Sequence, residues 1–235
     1  MYYMDYTYIL LIPAILLSLW ASARVNSTYK KYSKMKTAKG LTGAQAARYV
    51  LDSNGLRNVT IERISGNLTD HYDPKANVIR LSDSVYSNTS TAAVGVACHE
   101  AGHAIQHAEG YAPVKVRTAI VPVTNIGSKL AMPLILIGII LSSFSYAFIE
   151  LAYVGILCFC LCVFFQLITL PTEFNASSRA LNIIESSYLL TEEEQKAAKK
   201  VLSAAALTYV AALAVSVMQL LRLLLIVSGG GRRRN

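Results

Sequence analysis

The twelve residues VACHEAGHAIQH, Val96 to His107, carry two histidines four positions apart with a glutamate directly after the first, in a chain that is otherwise largely apolar. On a helix, His99 and His103 lie one turn apart on the same face, so both imidazoles can reach one metal ion at about 2.0–2.1 Å. Glu100 is then placed to reach a water on that ion. The small residues Ala101 and Gly102 suit close packing of the helix against a neighbour. A pattern this short also arises by chance, as a polar face on a surface helix. The metal interpretation therefore depends on a third ligand, because a catalytic zinc takes three protein ligands and leaves a fourth position open.

Working outward, the chain has 235 residues, of which 54% are hydrophobic and 15% charged, a balance that points to a membrane protein. Residues 6–23 are long enough to cross the roughly 30 Å hydrocarbon core. Ala21-Ser22-Ala23 mimics a signal-peptide cleavage site, but residues 1–8 carry Asp5 and no Lys or Arg, so the run is expected to stay as an anchor. Runs 131–149 and 151–171 are separated only by Glu150 and are expected to form a transmembrane helical hairpin with that charge at the far interface. A fourth run, 201–227, is interrupted by Gln219 and Arg222 and either spans or lies partly in the interface.

The only stretch long enough for a water-exposed domain is 24–117. Thr42 can cap a helix to about Ser53, and Val59–Ile64 and Asn77–Ser82 are β-rich, separated by the turn formers Gly66, Asn67, Asp73 and Pro74. Thr89, Ser90 or Thr91 can begin the helix that carries His99 and His103. The expected fold is an α-helical membrane protein with a small α+β metalloprotease-like domain and about four hydrophobic segments. Its parts are an anchor (1–23), a membrane-proximal segment with the two histidines (24–117), a hairpin (118–171), a helix carrying the third ligand (172–200) and a C-terminal hydrophobic segment with a basic tail (201–235).

Among third ligands, His107 lies eight residues from His99, about 12 Å along a helix and too far for both to bind one ion. A glycine break with a third histidine farther on is absent. His71 could approach only through the tertiary fold and ranks second. Glu173, in PTEFNASSRAL, ranks first, because two membrane crossings between residues 117 and 173 return it to the side that holds His99 and His103. Pro171 can start its helix. Asn175, Ser177 and Arg179 then follow as groups that orient the ligands or bind substrate; equally, they form a solvated helix face.

The four cysteines add no metal site. Cys158, Cys160 and Cys162 lie inside the third apolar run with no His or acidic partner nearby, and Cys98 points away from its neighbour His99 on a helix. The net charge of +8 is placed beside the apolar runs, at Arg24, Lys30, Lys31, Lys34, Lys36 and Lys39 and at Arg232, Arg233 and Arg234. Such flanking positions fit topology signals and contacts to anionic lipid; no nucleic-acid motif is present.

With these residues assembled, the chain resembles the small bacterial family of YugP-type membrane zinc metallopeptidases. NLTDHYDP, IRLSDSVY, ACHEAGHAIQH and PTEFNASSRAL carry the resemblance, in that order, over nearly the whole chain. More distantly, the order of HExxH, helical hairpin and Glu-bearing helix looks like the HtpX and CAAX-processing proteases. Those relatives typically carry Asp four residues after the Glu, where this chain has Ser177. The resemblance implies a zinc peptidase of the bacterial plasma membrane and brings no substrate with it.

The expected chemistry is hydrolysis of a peptide or membrane-protein substrate, with Zn2+ held by His99, His103 and Glu173 and with Glu100 as general base. His71, Tyr72 and Arg179 are the candidates for stabilising the oxyanion, and the strand Asn77–Ser82 could offer an edge to an extended substrate. Two rivals remain: a site-2-type intramembrane protease, and a non-enzymatic membrane scaffold with a structural or vestigial zinc site. Six basic residues between Arg24 and Lys39 and none before the first run put the active site in the cytoplasm by the positive-inside rule. A spanning fourth run would leave Arg232–Arg234 outside, against the same rule.

Overall fold

The computed structural model describes residues 6–231, so Asp5, Arg232, Arg233, Arg234 and Asn235 lie outside the described residues. A 3-10 turn (Tyr6–Leu10) leads into helix α1 (Leu11–Tyr32), followed by α2 (Gly43–Ser53), β1 (Thr60–Ile64), β2 (His71–Asp73), β3 (Val78–Ser82), the short α3 (Asp83–Tyr86) and α4 (Thr91–Ala108). Three long helices complete the chain: α5 (Ala112–Leu141), α6 (Ile149–Ser186) and α7 (Glu192–Gly231). The protein is a helical membrane protein with a small three-stranded sheet. Among the described residues, four helices are long and apolar enough to cross a bilayer.

The chain divides into two units. The first, a membrane unit, comprises residues up to Trp20, Val116–Leu170 and residues from Tyr209 onward. Its outward surface is apolar, with Ile12, Leu16, Leu19, Val123, Ile126, Ile140, Leu157 and Phe164 all exposed, as expected of groups that face lipid. Glycines bring α5 and α6 together. A Cβ on Gly155 would stand 2.7 Å from the Ala131 carbonyl oxygen, and one on Gly138 would collide with the Ala152 backbone nitrogen. Close approach through small residues is how helices associate where lipid removes the hydrophobic drive. Arg222, in the last apolar helix, is buried with its guanidinium carbon 3.7 Å from the centre of the Tyr8 ring, a cation–π placement that offsets part of its desolvation.

The hairpin turn falls at residues 142–145, not at Glu150, which occupies the first turn of α6. Ser142, Ser143 and Ser145 supply a polar turn, and an acidic side chain suits a helix N-terminus. Nor does Pro171 begin a new helix; it lies inside α6, which runs unbroken through Glu173 to Ser186. Proline is tolerated inside apolar helices, and α5 likewise contains Pro122 and Pro133.

The second unit comprises Ala21–Lys115 and Pro171–Thr208. Its centre is α4, capped by Ser90, whose hydroxyl accepts from the Ala93 N–H. Val94, Ala97, Cys98 and Ala101 are fully buried with Val50 and Leu51 of α2, Leu81 of β3, Ile184 of α6 and Ala198 of α7. The α2 helix begins with a capping box, in which Thr42 and Gln45 satisfy each other's backbone N–H. The sheet order is β1-β3-β2, with β1 parallel and β2 antiparallel to β3. Asp73 builds the β2–β3 turn by accepting from the Lys75 and Ala76 N–H groups. This corrects the expected substrate edge: β3 is the central strand, paired on both sides, and β1 and β2 are the edges. Placing the apolar VIRLS segment in the middle buries both its faces, whereas the polar HYD segment stays outside.

Candidate metal centre

The site is built where α4 meets α6. Gly102 permits the approach: a Cβ there would lie 2.6 Å from the Ala176 carbonyl oxygen. The Gly102–Ala176 contact therefore sets the helix spacing, and His99 and His103 on one side of it face Glu173 on the other. One ligand atom from each of the three residues lies within 4.8 Å of the others. The Glu173 Oε2 atom is 3.3 Å from His99 Nε2 and 3.4 Å from His103 Nε2, and the two imidazole centroids are 4.7 Å apart. These are the three residues ranked first from the sequence.

Zinc fits this donor set. The Nδ1 of each ring is engaged outside the cluster, His99 by the Ser177 hydroxyl at 3.0 Å and His103 by Gln106 Oε1 at 3.0 Å. The two Nε2 atoms and a carboxylate oxygen are left converging on one small volume. The Glu173 side chain is only 4% exposed, and electron-rich atoms crowded together out of water need a cation among them. The local field points the same way: burial alone would lower the His103 pKa, but the Glu173 carboxylate and the charge on Glu100 outweigh it and hold the ring above its ordinary value. A proton meets that demand in the metal-free chain; a divalent ion held by nitrogen and oxygen ligands meets it better.

Glu100 is buried on α4 directly after His99. Asp70, immediately before β2, is a second carboxyl in this region. Burial pushes its pKa up and the charge on Glu100 adds to that, while the Ser82 backbone N–H and hydroxyl, at 2.7 and about 3.0 Å, oppose it. Asp70 was not singled out from the sequence. Its only signal there was membership of the NLTDHYDP segment.

The remaining expected site residues separate into two groups. Ser177 contacts His99, and Asn175 and Arg179 form part of the polar network around Gln106 and Glu109. His71 and Tyr72 are not members of the metal cluster among the described residues. The His71 ring nitrogen Nδ1 lies 2.9 Å from the Thr69 carbonyl, and the Tyr72 hydroxyl donates to Asn77 Oδ1. Arg179 directs Nε to Asn175 and Nη1 to Glu109 at 2.7 Å each. All three oxyanion candidates thus have other commitments. His107 packs against the Tyr72 ring with centroids 5.4 Å apart. Cys98 is fully buried and its thiol is pushed up to about 12, which makes it a packing residue and no ligand.

Residues 7–228 match the family model described as "Putative neutral zinc metallopeptidase". A Bacillus subtilis (strain 168) protein described as "Putative membrane protease YugP" is 50% identical over 177 residues, covering 75% of this chain and 76% of that protein. No solved structure matches the chain. The chain belongs to this neutral zinc metallopeptidase family.

Proposed function

We propose that this family member is a membrane-bound, zinc-dependent peptidase, with His99, His103 and Glu173 as metal ligands and Glu100 as general base. The observation that carries the proposal is the convergence of two imidazole Nε2 atoms and one buried carboxylate within 4.8 Å of one another, with Glu100 next to the first ligand on the same helix. Bound zinc supplies Lewis acidity toward a carbonyl oxygen and an activated water. The chain's own part is proton handling and placement. Glu100 accepts the proton of the attacking water on its carboxylate and returns it to the leaving amine nitrogen, so that no free amide anion departs. Gly102 and the α4–α6 contact keep the three ligands at fixed separation.

A substrate in extended conformation has a place to pair. Strand β2 is hydrogen-bonded to β3 on one side and has no strand partner on the other among the described residues, and its Tyr72 packs on His107 of the ligand helix. Addition of a peptide strand at that edge would hold the scissile bond by main-chain hydrogen bonds, with little demand on sequence.

The scaffold alternative is less well supported. Structural zinc sites are closed by four protein ligands, whereas the cluster has three His, Cys, Asp or Glu members among the described residues. A site-2-type arrangement would draw its third ligand from an aspartate, and here the grouped acid is Glu173. The active site is assigned to the cytoplasmic side from the six basic residues between Arg24 and Lys39. Thiol labelling of a single cysteine at position 36, in a background lacking the four native cysteines, should need cell lysis; labelling of intact cells by an impermeant reagent would reverse the orientation.

The peptidase function is tested with the full chain in lipid nanodiscs, loaded with zinc and offered an unstructured fluorogenic peptide library. Wild type should bind about one zinc per chain and cleave. His99→Ala should lose both, and Glu100→Gln should keep zinc and lose cleavage. Undiminished cleavage by Glu100→Gln would refute the mechanism.

A further inference from the structure

Gln106 is fully buried, yet a primary amide has two donors and an acceptor to satisfy. Its Nε2 lies 2.8 Å from the Thr172 carbonyl oxygen and 2.9 Å from Asn175 Oδ1, and its Oε1 lies 3.0 Å from His103 Nδ1. The direction of this amide is fixed twice over. A backbone carbonyl only accepts, so the end facing Thr172 must be the NH2. Independently, the Arg179 guanidinium only donates, and its Nε contacts the same Asn175 oxygen at 2.7 Å, so Asn175 turns an acceptor toward Gln106. Arg179 is itself held by Glu109 through Nη1 at 2.7 Å. Both routes leave Gln106 Oε1 facing His103, and an amide oxygen cannot donate.

We propose that Gln106 is a positioning residue of the metal centre, locking His103 into the tautomer that carries its proton on Nδ1 and so aiming an unprotonated Nε2 at the metal. This rests on the assignment of His103 as a ligand. A neutral imidazole free in water samples both tautomers, and the one with the proton on Nε2 turns a donor toward the place where the metal must sit. A buried amide with one permitted orientation removes that alternative and fixes the ring plane as well. The His99 ring has a looser partner, since the Ser177 hydroxyl, 3.0 Å from Nδ1, can either donate or accept. The two ligands therefore differ: His103 is locked by the network, and His99 can switch tautomer by a hydroxyl rotation.

The test combines histidine 15N NMR with zinc affinity, on the full chain in detergent micelles. In the zinc-loaded wild type, His103 should show a protonated Nδ1 and a metal-bound Nε2. In the zinc-free wild type at alkaline pH, where the ring is neutral, the Nδ1–H form should persist. A neutral His103 that populates both tautomers, or a metal-bound Nδ1, overturns the lock without touching the metal assignment. A wild type that binds no zinc but keeps the Nδ1–H form defeats the ligand assignment and leaves the lock standing. Gln106→Met should weaken zinc by about 10–100-fold. Wild-type affinity in Gln106→Met would also overturn the proposal.

Discussion

Both units of the molecule use the same packing device for different ends. In the membrane unit, Gly138 and Gly155 let α5 and α6 approach until backbone meets backbone, and what they bring together is apolar, such as Ile135, Ala152 and Ile156. In the second unit, Gly102 lets α4 reach the Ala176 carbonyl, and what it brings together is polar: two imidazoles, a buried carboxylate and a buried amide. Close helix contact in the first case replaces a hydrophobic drive that lipid does not provide. In the second it supplies a desolvated position where misplaced ligands would be costly. The difference separates two kinds of mutational effect, loss of fold and loss of chemistry.

The largest effect that should respect this division is at Glu100. Glu100→Gln should lower hydrolysis by about 10²–10⁴-fold with the melting temperature and zinc content of wild type; loss of zinc as well would make Glu100 part of the ligand architecture. Next come the paired glycine variants. Gly102→Ala and Gly155→Ala should each cost about 1–3 kcal/mol through overpacking, read as a lower melting temperature in nanodiscs. Only Gly102→Ala should also weaken zinc, and equal weakening by both would break the comparison.

A third distinction concerns pH. The metal-free chain holds a proton on His103 more tightly than an ordinary histidine does, so that contribution to stability is present in acid and is lost as pH rises through the raised pKa. Zinc requires the neutral ring, so its affinity should run the opposite way and fall about tenfold per pH unit below that pKa. Melting curves with and without zinc from pH 5 to 9 should show these opposite slopes; parallel slopes would remove His103 from the ligand set. The smallest effect is at Ser177. Ser177→Ala should weaken zinc by roughly tenfold or less, near the lower limit for losing a group that orients a ligand. Ser177→Asp, which places a carboxylate acceptor beside His99 Nδ1, should tighten it.

Legibility in the sequence followed the length scale of the signal. The apolar runs extend over many residues and report on the solvent around them, so their number and order could be read directly. The four-residue spacing of His99 and His103 needs only helix geometry, and Glu173 followed from counting crossings. Strand β2 leaves no signal in the sequence, because three residues cannot display a period of two and its HYD segment lies among turn formers. Without it the open edge of the sheet is misplaced, since only β2 makes β3 the central strand. Pro171 does not mark a boundary because an apolar helix tolerates proline, its freed backbone groups being satisfied by neighbouring helices and local adjustments. Gln106 could not be singled out at all, because the Thr172 carbonyl that orients it lies 66 residues away and a backbone group leaves no mark in a sequence.

If α4 and α6 together hold one catalytic zinc, zinc-edge anomalous diffraction from crystals of the full chain will locate it. A single strong peak should lie about 2.0–2.2 Å from His99 Nε2, His103 Nε2 and a Glu173 carboxylate oxygen, with a non-protein fourth position. A peak held by His71, His107 or a cysteine, or no peak between α4 and α6 in zinc-saturated crystals, would rule out this zinc site.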